Sequence, residues 1–174
     1  SKIVLKGDVS ERIDILKGKA VELDLNGFKL SYTGSEQGNL NATIKNEGTL
    51  IISDSSKAGT GIVEAIEGSN TYTSAIANLG TVTINAGTIK VTCNNNNYGY
   101  YVINNAGSVT ITGGKVIMDE KLASQSINTS VIKNGNDDLT GTNTNLGNDI
   151  KKYDGKEAIL TITGGEVVSP TYIK

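Results

Sequence analysis

The sequence is poor in several residue types that carry common protein chemistry. It contains no histidine and no tryptophan, and only one residue each of cysteine, methionine, phenylalanine and proline. Because Cys93 is alone, an internal disulfide is excluded. No apolar run reaches the roughly 18 residues that a membrane-spanning helix requires, so we expect no membrane insertion. The net charge of −2 provides no basic surface, so we also expect no nucleic-acid partner.

The residues that are abundant indicate an all-β protein. The 174 residues correspond to one domain, and 21 of them are glycine, a composition that suits short strands joined by tight turns. Apolar and acidic residues alternate strictly over 21–25, so we expect Glu22 and Asp24 to share a solvated strand face. The pair Asn26-Gly27 that follows predicts a tight turn.

A motif of the form Ile-x-Asn-x-Gly, followed by Thr or Ser and an alternating apolar strand, recurs along the chain. Its first three copies begin at Ile44, Ile76 and Ile103. The isoleucines that end these copies stand at positions 52, 84 and 111, and are therefore 32 and 27 residues apart. A period of this size predicts a solenoid, in which each coil buries its apolar face by stacking on the next. A fourth copy begins at Val131 and resumes at Leu160 after an interruption.

We interpret the chain as one right-handed parallel β-helix domain of about five to six coils, each with three short strands. Residues 1–32 form an opening coil, 44–135 the regular coils, 136–157 a loop insertion and 158–174 the last coil. A loop as long as this insertion is usually functional or disordered. The phase of the repeat places Cys93 beside an inward row, as a small buried apolar residue. The same phase predicts an inward column of isoleucines, which comprises Ile52, Ile84, Ile111 and Ile162.

Four asparagines occupy one motif position in successive copies, namely Asn46, Asn78, Asn105 and Asn134. A side-chain amide has both donors and an acceptor, so asparagines stacked at a turn can form a ladder along the solenoid axis. Because the row repeats with the coil, we interpret it as architecture and not as a ligand site. The glycines two positions later are expected to supply a positive φ at the corner. They are Gly48, Gly80 and Gly107.

The segment 18–30 (GKAVELDLNGFKL), the Ile-x-Asn-x-Gly-Thr coils and the Thr-Gly-Gly turns carry a family resemblance. Together they resemble the right-handed parallel β-helices of the pectate-lyase-like fold in large surface proteins of Gram-positive bacteria. The resemblance implies an extracellular or cell-surface location, as one adhesin-like module of a longer multidomain protein. The same fold also serves polysaccharide lyases, hydrolases and phage tail proteins, so the fold does not select the activity.

Lyase chemistry has few candidate residues in this sequence. The resemblance implies that a lyase of this fold would need Ca²⁺-binding aspartates and a basic residue that abstracts a proton. Arg12 is the sole arginine and lies in the opening coil, away from any aspartate cluster. A lysine base would need burial or neighbours that lower its pKa, and both Lys90 and Lys115 alternate outward on repeat strands.

Glycoside hydrolysis needs two convergent carboxyl groups. Glu22 and Asp24 would lie roughly 6.5–7 Å apart along one strand, although a solvated face explains them equally simply. The neighbours Asp119 and Glu120 would point to opposite faces of a strand. We therefore expect a protein that is not an enzyme and that uses no cofactor or metal.

Two loop regions are the candidate binding surfaces. Tyr98, Tyr100 and Tyr101 lie in or beside one loop, and tyrosines stack on sugar rings and anchor protein contacts. Asp137 and Asp138 lie in the insertion, without the spacing of a calcium-binding loop.

The sequence thus predicts a non-catalytic structural or adhesion module that binds a host or matrix glycan or protein. A carbohydrate-active enzyme and a phage tail component remain the alternatives. An outward hydroxyl row, Thr81, Thr110 and Thr163, is a further candidate surface.

Overall fold

The computed structural model describes residues 1–34, 41–68, 73–93, 100–118, 130–135 and 157–169. Over these residues the chain forms seventeen β-strands. No helix that could cross a membrane is found among them. The strands pair in parallel and form three sheets, here named A, B and C. The predicted all-β solenoid is therefore confirmed.

The chain visits the three sheets in the order A, B, C, once in each coil. Sheet A contains β1 (Lys2–Val4), β4 (Ala20–Asp24), β7 (Thr49–Ser53), β10 (Thr81–Ile84), β13 (Ser108–Ile111) and β16 (Ile159–Ile162). Sheet B contains β2 (Val9–Ser10), β5 (Lys29–Thr33), β8 (Ile62–Ile66), β11 (Thr88–Thr92), β14 (Lys115–Met118) and β17 (Glu166–Val168). Sheet C contains β3 (Ile13–Ile15), β6 (Ala42–Asn46), β9 (Thr73–Asn78), β12 (Tyr100–Asn105) and β15 (Ser130–Asn134).

Equivalent residues of successive coils lie above one another, because the strands pair in parallel without a shift. Ile84 pairs with Ile52 in one neighbouring strand and with Ile111 in the other. In sheet B, Ile89 pairs with Val116, as the repeat predicted. The inward side chains of such columns are fully buried, and each contributes about 1.5–3 kcal/mol to stability. The core is thus a stack of apolar rows that runs the length of the solenoid.

The ends of the stack differ from the expectation. The sheets contain six, six and five strands, but about three turns form the regular solenoid, fewer than the five to six coils expected. In the opening coil, Ile15 occupies the position that asparagine holds in the next coil. Ile162 pairs with Ile111 as predicted, yet it remains 47% exposed. Its predicted burial was wrong, because β16 is the edge strand of sheet A in the described part of the chain.

The three corners of the coil differ in length. At the C–A corner, where the chain passes from sheet C to sheet A, the regular coils use only residues 47–48, 79–80 and 106–107. At the B–C corner the connections vary, and they comprise 34–41, 67–72, 93–99 and 119–129. The strands on either side of these connections keep their register. Variation at the B–C corner therefore leaves the stack unchanged.

The glycines of the C–A corner are needed for a reason other than the predicted one. Gly48, Gly80 and Gly107 do not have a positive φ, so that prediction was wrong. A Cβ at Gly80 would instead overlap the carbonyl oxygen of Gly48 in the neighbouring coil, and a Cβ at Gly107 would overlap that of Gly80. Backbone stacked directly on backbone leaves no room for a side chain. Positive φ occurs at the A–B corner, for example at Gly87 (88°) and Gly114 (75°).

Candidate functional site

A row of asparagines lies along the C–A corner. Asn46 Nδ2 donates to Asn78 Oδ1 at 2.8 Å, and Asn78 Nδ2 donates to Asn105 Oδ1 at 2.8 Å. Asn105 Nδ2 then donates to Asn134 Oδ1 at 2.6 Å. The first three side chains are fully buried, whereas Asn134 is exposed. Every amide donates toward the C-terminal end, so the row is one directed ladder, which is called the asparagine ladder below.

Each buried amide of the asparagine ladder also closes its own corner. Asn78 Oδ1 accepts a hydrogen bond from Gly80 N at 3.1 Å. Its Nδ2 also approaches the carbonyl oxygens of Gly80 and Ser108, each at 3.1 Å. Both polar atoms of the amide are therefore occupied by protein groups. This geometry supports an architectural role and leaves little capacity for a ligand.

A groove of about 800 Å³ runs along the outside of the same corner. Its floor is the line of corner glycines described above. The residues just before them form one side, and these are Glu47, Leu79 and Ala106. The residues just after them form the other side, and these are Thr49, Thr81 and Ser108. Lys17 and Lys19 lie at the opening-coil end, and Glu157 lies at the opposite end.

Asp54 organises the A–B corner. Its Oδ1 accepts hydrogen bonds from Gly27 N at 2.8 Å and Ser56 N at 3.1 Å, and its Oδ2 accepts one from Gly61 N at 2.6 Å. Burial alone would raise the pKa of Asp54, but these hydrogen bonds outweigh burial and lower the pKa below its usual value. Asp54 is not among the residues predicted from the sequence, because a single aspartate in a polar loop carries no periodic signal.

Asp24 lies in a different environment from the one predicted. It is only 3% exposed, and its Oδ1 accepts hydrogen bonds from Ser55 N at 2.9 Å and Asn26 N at 3.0 Å. Burial would raise the pKa of Asp24, but the hydrogen bonds from Ser55 and Asn26 lower it. The predicted solvated face was wrong here, because the residues after β7 return to cover it. Glu22 stays half-buried and pairs with Lys2 at 2.9 Å.

Glu64 is a second buried carboxylate, on sheet B. Lys90 Nζ lies 2.9 Å from its Oε1, and Lys29 Nζ lies 3.3 Å from its Oε2. The Thr92 hydroxyl donates to Oε1 at 2.5 Å. Burial would raise the pKa of Glu64, but the hydrogen bonds from Thr92 and Lys90 and the charge of Lys90 lower it. Lys90, one of the two lysines considered as a base, is therefore held in an ion pair.

Cys93 is buried, as predicted, but it is not surrounded by apolar groups alone. Its Sγ donates a hydrogen bond to Glu67 Oε2 at 3.0 Å, and Glu67 is only 3% exposed. The pair stands where the chain leaves sheet B for the B–C corner. The position of Cys93 in the repeat predicts that its thiol is buried, but it does not predict Glu67 as the hydrogen-bond partner.

The structure describes only two of the five predicted binding residues, Tyr100 and Tyr101. Tyr98, Asp137 and Asp138 lie outside the described residues. Tyr100 begins β12. Tyr101 is half-buried, and Lys133 Nζ lies 5.0 Å from the centroid of its ring, a cation–π geometry.

The chain enters the two predicted binding segments at different corners. The tyrosine segment precedes and begins β12, so the chain enters it at the B–C corner. The insertion 136–157 lies between β15 and β16, so the chain enters it at the C–A corner. The two segments are therefore inserted at different corners of the coil.

The outward hydroxyl row differs from the predicted one. Thr81 pairs with Ser108, and Ser108 pairs with Ile159. The row of paired threonines is Thr83, Thr110 and Thr161. The predicted grouping of Thr81, Thr110 and Thr163 was wrong, because residues two apart in a strand share a face and only the pairing fixes which of them align.

Within the described ranges, no three side chains of the metal-binding types lie close enough together to hold an ion. No protein-family model matches the sequence, and the comparisons with curated proteins and with solved structures give no significant match. The function therefore has to be inferred from the geometry of this chain.

Proposed function

We propose that this chain is a non-catalytic structural and adhesion module of an exported bacterial surface protein. In this proposal it is a β-helix of the pectate-lyase-like type and part of a longer multidomain protein. It presents loops that bind a host or matrix glycan or protein. The solenoid acts as a stiff support, and the loops carry the specificity.

The observation that carries the proposal is the contrast between the corners. The B–C connections differ in length and are rich in polar residues, yet β8, β11 and β14 on one side remain in register. The strands that follow the connections, β9, β12 and β15, are equally regular. A scaffold that holds variable loops on an invariant stack is suited to presenting recognition loops.

The pKa shifts of three carboxylates favour this proposal over a carbohydrate-active enzyme. A general acid in a glycosidase requires a raised pKa. The pKa values of Asp24, Asp54 and Glu64 are all lowered by hydrogen bonds that belong to the fold. Their chemistry is therefore that of ionised structural groups.

The test separates loops from scaffold. One variant combines Tyr98→Ala with Tyr101→Ala, and a second replaces residues 138–154 by a Gly-Ser link. The second variant should melt within a few degrees of the parent, because long surface loops add little to stability. The first should melt somewhat lower, because Tyr101 lies in β12 and is half-buried beside Lys133. Both should remain folded and should lose glycan-array or cell-surface binding. A control with Thr83→Ala and Thr110→Ala, on the face of sheet A, should bind like the parent. Depolymerisation of a polysaccharide by the intact chain would overturn the proposal.

A further inference from the structure

We propose that the groove at the C–A corner binds a linear acidic glycan that lies along the solenoid axis. This site is separate from the tyrosine segment, which enters at the B–C corner, whereas its far end at Glu157 adjoins the insertion. Its walls, its floor and the charges at its ends each limit what can occupy it.

The floor limits the shape of the ligand. The corner glycines cannot be replaced without a clash with the neighbouring coil, so the groove is continuous from coil to coil. Neighbouring strands lie about 4.7–4.9 Å apart, so the stretch from Lys19 to Ile159, across four coil steps, is roughly 19 Å long. An extended chain with several repeating units fits such a trough.

The hydroxyl wall limits the chemistry of the ligand. Thr49, Thr81 and Ser108 lie in one column, because their strands pair at these positions. No side-chain hydrogen bond from these three hydroxyls is found within the described part of the chain, and Thr49 and Thr81 are exposed. On the facing wall the half-buried Leu79 offers apolar surface, whereas Ala106 is only 1% exposed. A sugar ring has a hydroxyl edge and an apolar C–H face, and so matches both walls at once.

The backbone excludes an added peptide strand. Thr81 N donates to Gly48 O and Ser108 N donates to Gly80 O, each at 2.8 Å. The peptide groups along the floor are therefore committed to bonds between coils and offer no free strand edge. Side chains on one face of an extended peptide would also repeat at about 6.6–6.8 Å, whereas the wall hydroxyls repeat at about 4.7–4.9 Å. One pyranose unit of an extended glycan advances by nearly the latter distance.

The charges at the groove ends set its polarity. Lys17 and Lys19 both line the opening-coil end, and Lys19 makes no ion pair within the described ranges. The nearby Glu47 carboxylate is neutralised by Lys45 at 2.6 Å. Glu157 lies at the far end. A carboxylate on the ligand is therefore favoured next to Lys19.

The experiment uses calorimetric titration of the whole chain with hyaluronan hexasaccharide, with neutral cellohexaose and with hexaglutamate. Hyaluronan hexasaccharide should bind best. Thr81→Tyr, which fills the groove, should weaken that binding by at least about tenfold. Thr83→Tyr, on the same strand outside the groove, should leave it unchanged. Lys19→Gln should weaken the binding of the hexasaccharide and reduce its dependence on salt concentration. Lys57 is an exposed lysine outside the groove, and Lys57→Gln should change neither.

Ser108→Tyr and its control Thr110→Tyr repeat the comparison if Thr81→Tyr lowers the melting temperature. Equal losses in a groove variant and its control would overturn the proposal. The proposal would also be overturned if hyaluronan hexasaccharide did not bind at millimolar concentration, or if hexaglutamate bound more tightly than the hexasaccharide. It would likewise be overturned if cellohexaose bound as tightly as the hexasaccharide and Lys19→Gln did not change this. The changes at Tyr98 and Tyr101 should leave hexasaccharide binding intact, so the failure of either proposal can be recognised separately.

Discussion

Replacing Asn78 by alanine should destabilise the solenoid by about 2–4 kcal/mol. The side chain takes part in five hydrogen bonds, which join it to Gly80 twice, to Ser108, and to the ladder neighbours on both sides. Several of the partners retain a second bond. Asn46 Nδ2, for example, still reaches Gly48 O at 3.3 Å and Thr81 O at 3.1 Å. The loss of stability therefore comes mainly from the lost hydrogen bonds and from the small void left by the side chain, because few of the partner groups are left without any hydrogen bond.

The substitution Asn78→Asp tests whether the asparagine ladder needs a hydrogen-bond donor at this position. A carboxylate keeps the acceptor toward Asn46 but cannot donate to Asn105 Oδ1, so it adds repulsion to the loss of a bond. We expect a larger loss of stability at pH 7 than with alanine. Protonation of the new carboxyl restores a donor, so its pKa in the folded state should lie above that in the unfolded state. The stability deficit should then shrink as the pH falls below that raised pKa.

The assay is urea denaturation of the parent and three variants, at neutral and mildly acidic pH. The control is Asn85→Ala, which removes an exposed asparagine at the A–B corner and should cost within about 0.5 kcal/mol. If Asn78→Asp were as stable as the parent at pH 7, the need for a ladder donor at position 78 would be refuted. An unchanged stability in Asn78→Ala would refute the ladder's contribution altogether.

Three further outcomes follow from the same geometry. Gly80→Ala should lower the melting temperature markedly, because the added Cβ would overlap the carbonyl oxygen of Gly48. A melting temperature as high as that of the parent would refute the claim that the neighbouring coil leaves no room for a side chain. Ile111→Asp should abolish soluble folded protein, whereas Ile162→Asp, at a half-exposed site, should still fold; circular dichroism distinguishes the two. Asp54→Asn should cost about 1–3 kcal/mol at pH 7, measured by denaturation. Because the pKa of Asp54 is lowered in the folded state, its contribution to stability is complete above the unfolded pKa of about 4 and is lost as the pH falls through the folded pKa. The stability of Asp54→Asn should therefore depend less on pH in this acidic range than that of the parent.

The sequence predicted those features that repeat with the coil. The solenoid, the three strands per coil, and the alignment of Ile84 with Ile52 and Ile111 all follow from one period. Periodicity is informative here because parallel stacking places like residues on like residues. The burial of Cys93 follows from the same phase.

The features that the sequence did not predict depend on contacts between coils. Asp24 sits at an outward position of an alternating strand, and only the return of the chain at Ser55 buries it. Gly48 looks like a turn glycine, and only the coil-to-coil distance shows that a Cβ cannot be accommodated. The mistaken grouping of Thr163 with Thr110 arose because Thr161 and Thr163 share an outward face, and only the pairing shows that Thr161 aligns with Thr110. The groove could not be predicted from the sequence, since its walls come from residues about thirty apart that belong to no ligand-binding motif.

The parallel stacking of coils also has a mechanical consequence. The hydrogen bonds between coils run along the solenoid axis in all three sheets, and the asparagine ladder adds another line of them. A force that pulls the chain ends apart along this axis loads every bond of one coil interface together. Once an interface opens, it frees one repeat, for example the 27 residues between Asn78 and Asn105, which extend to roughly 90–100 Å. Under tension the molecule would therefore lengthen in discrete steps of one coil and dissipate work at each step.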